Sequence, residues 1–326
     1  MLGSQTWILR NSTKDLCLFY LPGILAILIS KFISGAEGNW TYLLFTWLAL
    51  GVLDGGHVYS TLWRTYFNKN ELLRRPLYYK LAPVLLFLLF ALWVYFGGLY
   101  LGYVVVYFTI YHNIRQLFGV SKWYQKINKS FDKGSDFFLY AFCLIPVIAF
   151  HFRDNVQTPN YYDVSGSLYP DQFLFSLSLL IFSLLFLLYA VKEVIFYFKT
   201  KQLQTARILS VIYPGLIYSF AFLFSNNIIE ILFPLVVSHG LTYLILIDYS
   251  LERTTSNYKK KTLIFVLLAA VVFGSTEFFT ESLFVDVSDP TKAIATALFL
   301  TPLFCHYLFD AFLWTKDHPE SHLIIN

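Results

Sequence analysis

Four of the seven histidines, His57, His112, His239 and His306, stand inside long apolar runs. An ionisable side chain in lipid is costly, and it usually faces a bundle interior where it has a function. Each of the four has a polar neighbour three or four residues away: Asp54, Gln116, Tyr243 and Asp310 respectively. Those offsets put both side chains on one stripe of a helix. A metal-bound histidine generally gives its second ring N–H to a carboxylate, carbonyl or water. Asp54 and Asp310 suit that task or direct ligation, and Tyr243 is the corresponding partner beside His239. Arg115, near the end of its helix, is placed to offset carboxylate charge. The expected metal ligands are therefore His57, His112, His239 and His306, with Asp54, Asp310, Tyr243 and Arg115 as catalytic partners. Imidazole without thiolate suits iron, copper, zinc or nickel, and iron leads where open positions receive dioxygen. The bland alternative is that each histidine only hydrogen-bonds a neighbouring helix. Of the rest, His151 reads as an interfacial anchor, and His318 and His322 as solvated residues of a polar tail.

The elements that must position these groups follow from composition. The 326 residues are 57% hydrophobic, 20% aromatic and 13% charged, with mean hydropathy +0.59. Soluble domains run at about 45–50% apolar and about 25% charged, so an ordinary water-soluble enzyme is excluded, and disorder with it. The expected fold is all-α, a polytopic membrane bundle of about ten helices forming a single domain over 1–326. The apolar runs cover 16–34, 40–63, 81–96, 99–118, 136–152, 172–198, 207–225, 229–250, 262–278 and 292–314. Gly97-Gly98 breaks one long run into a hairpin, because glycine tolerates the turn's backbone angles. Asn226-Asn227 breaks another.

Charge supplies orientation. Alternate connections, with both termini, carry 21 of the 24 basic residues, leaving Lys31, Arg153 and Lys292 to the other side. Cytoplasmic loops are rich in Lys and Arg, so both termini are expected in the cytoplasm. The four histidine-bearing helices then all run inward. His57 lies seven residues before Arg64, His112 ten before Lys122, His239 fourteen before Arg253 and His306 ten before Lys316. At about 1.5 Å per residue these sit roughly 10–21 Å above the basic markers, a depth at which four imidazoles could share one centre.

Several other chemistries find no support. The net charge of +4 is scattered over loops, which reads as topology and headgroup contact rather than a nucleic-acid surface. Cys17, Cys143 and Cys305 form no CxxC pair, so neither a disulfide framework nor a thiolate zinc site is expected. There is no Walker loop, GxGxxG, GxSxG or HExxH. The N-terminal apolar run lacks an A-x-A cleavage site and reads as the first helix rather than a signal peptide. The stretch 153–171, with Tyr161, Tyr162 and Tyr169, reads as an interfacial cap or substrate-entry lid. Glycines at 51, 55 and 56 around Asp54 permit close helix approach.

The segments GVLDGGHVYSTLWR and HNIRQLFGV, with the later intramembrane histidines, resemble the Brp/Blh family of bacterial membrane carotene-cleaving dioxygenases. By that similarity His57 matches the family's first histidine, and His112 with Phe118-Gly119 falls near the second. The later paired histidines are not reproduced: His239 is followed by Tyr243 and His306 by Asp310. The resemblance covers short patches over about a fifth of the chain. It implies an iron-dependent oxygenase in a bacterial inner membrane, acting on a carotenoid or other lipophilic small molecule. Two rivals stand beside it. One is a lipid-modifying transferase using histidine and aspartate as acid and base. The other is a transporter or channel with a His/Asp proton or metal-ion pathway, which would favour inverted repeats; none is visible. Membrane lipids are the expected surroundings, and nucleic acid is not an expected partner.

Overall fold

The structure, a computed structural model, describes residues 6–36, 38–98, 100–153, 170–254, 268, 271–276, 289–315 and 318. Among these residues the regular structure is helical, with no strand. The helices are α1 (Ser12–Ser34), α2 (40–64), α3 (Lys69–Arg74), α4 (Pro76–Tyr95), α5 (Leu101–Ile127) and α6 (Lys133–Phe150). They continue with α7 (Gln172–Thr200), α8 (Thr205–Phe224), α9 (Ile228–Arg253) and α10 (Asp289–Leu313). Seven of them are long and apolar enough to cross a membrane: α1, α4, α6, α7, α8, α9 and α10 up to Leu313. These seven are compatible with an integral membrane protein. Helices α2 and α5 stand where the sequence places them but carry several polar side chains along their length. The expected run 262–278 lies mostly outside the described residues, as does most of the stretch 153–171.

The ends of the helices are set by local chemistry. Asn11, Asn68, Asp132, Asp171 and Asn227 each accept a hydrogen bond from a first-turn N–H, satisfying donors that an α-helix start leaves without partners. At α9, Glu230 reaches back to the Asn226 N–H at 2.9 Å while Asn227 holds the Glu230 N–H. That reciprocal pairing explains why the Asn-Asn pair ends one run and starts the next. Between α4 and α5, Gly97 has φ +101 and Gly98 φ +60, angles at which a side chain would be strained. Helices α1, α2 and α9 are each interrupted by a π-helical turn, at Leu16–Tyr20, Trp47–Gly55 and Val237–Leu241, and α8 ends in one, at Phe220–Phe224.

The chain divides into two compact units, with boundaries inside α5 and inside α9. The first comprises residues 1–37 and 106–239. In it α1 packs on the first half of α9, with Lys31 paired to buried Glu230 at 2.6 Å. Helix α6 packs on α7 and α8 through Phe142, which meets Phe182, Phe186 and Tyr189. At one end of this unit a charged network of Asp132, Lys192, Glu193 and Arg207 ties α6, α7 and α8 together.

The second unit comprises residues 38–105 and 240–326. Here α4 packs along α10 through Phe90, Ala297, Leu300 and Phe304, then through Tyr79 and Phe309. Helix α2 packs on α10 and on the second half of α9. The expected close approach at Gly55 is present: a methyl there would collide with the backbone of Gly274. Trp47 Nε1 donates to Ser275 Oγ at 2.9 Å beside that crossing.

Candidate metal centre

In the second unit, His57 from α2 and His306 from α10 are each 1% exposed. Their rings meet edge to face with centroids 4.8 Å apart. His57 Nδ1 lies 3.2 Å from the Leu53 carbonyl, which accepts from it in the Nδ1–H tautomer and leaves Nε2 as the ligand atom. Asp54 lies within 3.5 Å of the same nitrogen, so the backbone carbonyl and the carboxylate flank it together. His306 Nδ1 is 2.6 Å from Thr61 Oγ1, which is 2.8 Å from Tyr243 Oη. Tyr243 in turn donates to Asp310 Oδ1 at 2.8 Å. Read in one direction, His306 N–H donates to Thr61, Thr61 to Tyr243 and Tyr243 to Asp310.

Asp310 therefore acts on His306 through two hydroxyls. Its own approach to His306 Nδ1 is 3.8 Å, beyond hydrogen-bond reach. Arg64, 1% exposed, stacks over Trp314 at 4.4 Å and is close enough for its charge to act on Asp310. In the sequence Arg64 serves only as a basic marker, and Thr61 stands out only as part of GVLDGGHVYSTLWR. Their real signal is spacing: Thr61 is one helical turn after His57, and Arg64 one turn after Ser60, on the buried stripe.

In the first unit, His112 from α5 and His239 from α9 are buried, with ring centroids 5.1 Å apart and planes at 82°. His239 lies in the π-helical turn Val237–Leu241, the kind of local widening often found at functional positions. Gln116, one turn beyond His112, donates to the His239 carbonyl at 3.0 Å. It thus fixes backbone rather than the imidazole of its own helix.

The remaining candidates fall elsewhere. Arg115 is exposed; it donates to the Tyr140 hydroxyl at 2.7 Å and lies over Phe118. The cation that acts on Asp310 is Arg64. His151 sits at the end of α6 with Nε2 2.7 Å from the Tyr107 hydroxyl. His318 is corrected outright: it is 4% exposed, with Nε2 2.9 Å from Glu71 Oε2 and 2.8 Å from Arg74 Nη1. A buried acid on α3 supplies the partner that a polar tail did not advertise. His322 lies outside the described residues. The three cysteines are free, Cys17 exposed and the other two buried.

Each of the four buried histidines offers a ring nitrogen, and such a set could hold a metal ion. The ring spacings bear on this directly. Two imidazoles on one ion, each about 2.0–2.1 Å from it, have centroids roughly 4.5–5.2 Å apart for ligand angles between octahedral and tetrahedral. The spacings within the two pairs, 4.8 and 5.1 Å, fall in that interval. No protein-family model, curated protein or solved structure matches the chain.

Proposed function

We propose that the protein is a membrane-embedded metalloenzyme, an oxidoreductase or oxygenase acting on a lipophilic substrate, with one metal held by His57, His112, His239 and His306. The observation that carries this reading is the spacing within each buried imidazole pair, which is compatible with two ligands of one ion. Within the second unit, Gly240 packs closely on α2: a methyl on it would stand 2.8 Å from the Leu53 oxygen and 3.6 Å from His57 Nδ1.

Iron is the preferred occupant, with copper or zinc as substitutes; all three accept imidazole. Iron would supply dioxygen activation. The protein's own residues supply the rest. The Leu53 carbonyl and the Thr61–Tyr243–Asp310 chain hold two imidazoles in the tautomer that ligates through Nε2. The charge of Arg64 near Asp310 offsets the buried carboxylate. A chain that is 20% aromatic suits a long apolar or polyene substrate, in line with the carotene-cleaving resemblance. The reading includes ten spans, with α2, α5 and the run 262–278 added to the seven most apolar helices, and both termini in the cytoplasm of a bacterial inner membrane.

The test is elemental analysis of the purified full-length protein after loading with ferrous iron. We expect bound iron and oxygen-dependent turnover of a carotenoid, both lost in His306→Ala and retained in His151→Ala. Protein that takes up no iron, or a His306→Ala variant with full iron content, would sink the metal reading. Ion flux in reconstituted vesicles without product would transfer the site to transport.

A further inference from the structure

The first unit contains a line of oxidisable rings that the metal reading does not use. Trp7 meets Tyr124 edge-on with centroids 6.0 Å apart. Tyr124 stacks on Tyr20 at 6.4 Å, and Tyr20 meets Tyr213 edge-on at 5.1 Å. The three tyrosines are buried. The Tyr213 phenol lies over Gly23, where a methyl group would collide with it, and beside Ser238, the residue before His239. At the far end the Tyr124 hydroxyl donates to Asp15 Oδ2 at 2.6 Å. Asp15 is itself buried and accepts from the Ile8 and Leu9 N–H groups at 2.8 and 2.9 Å.

Four rings in continuous contact, ending on a hydrogen-bonded carboxylate, have the two parts that phenol oxidation needs. Electrons pass between adjacent rings, and the proton that an oxidised phenol must shed has an acceptor already in place. In its ionised form the Asp15 carboxylate, held by two backbone N–H groups and already in contact with the phenol, is positioned to take that proton. Pure packing would explain the rings but would not call for a buried acid on the phenol of the ring that Trp7 meets.

We infer that Tyr213, Tyr20, Tyr124 and Trp7 form a one-electron path leading away from His239, with Asp15 as the proton acceptor for Tyr124. The inference rests on the metal reading for its natural oxidant, a metal ion oxidised by one unit. In the step Tyr124 loses one electron through Tyr20 and Tyr213 to a one-electron oxidant, which an oxidised metal held by the four histidines would supply. The Tyr124 O–H bond breaks, and its proton forms the O–H bond of Asp15 carboxylic acid. Tyr213 and Tyr20 are restored by the electrons they relay. Such a path would drain an oxidising equivalent from the centre when no substrate is bound.

Cys17 makes a metal-independent test practical, being exposed while Cys143 and Cys305 are buried. It lies three residues before Tyr20 in the π-helical turn of α1. A ruthenium polypyridyl photosensitiser attached to Cys17 of the full-length protein in detergent, oxidised by flash and persulfate, takes an electron from its surroundings. We expect a tyrosyl radical by electron paramagnetic resonance, lost in Tyr20→Phe. Asp15→Asn should likewise diminish the tyrosyl signal, because the Tyr124 proton then has no carboxylate to receive it. Unchanged signals in both variants would overturn the path, whatever the metal content. A second arm loads ferrous iron and adds hydrogen peroxide: a tyrosyl radical that Tyr20→Phe removes supports the link to the centre. Bound iron that yields no tyrosyl radical overturns that link. Protein that binds no iron defeats the metal reading, and the photosensitiser arm still decides the path.

Discussion

His306 is aligned by a chain of three side chains rather than by one carboxylate, and this has a measurable signature. Tyr243→Phe removes the hydroxyl that connects Thr61 to Asp310, and Asp310→Asn removes the terminal charge. Each should weaken metal binding by about 10–100-fold, the usual cost of a lost outer partner. Because both act through one chain, the double variant should bind no more weakly than the worse single variant. Competition titration with a chelator reads this out, and additive losses would show that Asp310 does not act through Tyr243. Glu71 gives a second test at the same scale. Burial pushes its carboxyl upward, but hydrogen bonds from His318 and Tyr79 and the charge of Arg74 outweigh that and hold it at about 2, against an ordinary 4.5. A depressed acid stabilises the fold above its unfolded value and loses that contribution as pH falls toward the folded one. Thermal melts from about pH 4.5 down to about 2 should therefore show a fall that is flattened in Glu71→Gln.

Helix positions were largely legible in the sequence because lipid demands long apolar runs and short breaks. The run 172–198 became Gln172–Thr200, and 207–225 became Thr205–Phe224. The caps at Asn11, Asp132 and Asn227 extend or sharpen ends that hydropathy alone leaves vague. The four π-helical turns were not legible, since an added residue in a turn leaves no mark on composition. Nor was the pairing of His318 with Glu71: the partners are 247 residues apart, and spacing reports only local neighbours. The depth count put His57, His112, His239 and His306 in one set; the pairing of His57 with His306 and of His112 with His239 came only with the structure. Nor could depth name Thr61 as the hydroxyl on His306, which takes a crossing of α2 and α10. At the level of helix contacts, Gly240→Ala should destabilise the protein by about 1–3 kcal/mol, the cost of overpacking. The obstacle is the Leu53 backbone oxygen, which cannot rotate away. Gly119→Ala in α5, with nothing within 4 Å, should be neutral or stabilising by up to about 1 kcal/mol. Equal melting shifts in the two variants would contradict this account of α9 against α2.

For the whole molecule, the 21-to-3 division of basic residues predicts an even number of spans. Reporters fused to the C-terminus that work only in the cytoplasm should be active, and those that work only outside silent; the reverse would remove one helix from the count. The order in which the units are made has a further consequence. Each is assembled from two stretches of sequence, 1–37 with 106–239 and 38–105 with 240–326. Helix α2, with Asp54, His57 and Arg64, leaves the ribosome long before His306 and Asp310 exist. At about 5–20 residues per second, the gap from Arg64 to His306 lasts roughly 12–48 s. For that time a polar helix waits without the hydroxyl and carboxylate chain that later satisfies it. On the ten-span proposal, α2 must therefore be held in the translocon, or against other insertion factors, until the last part of the chain arrives.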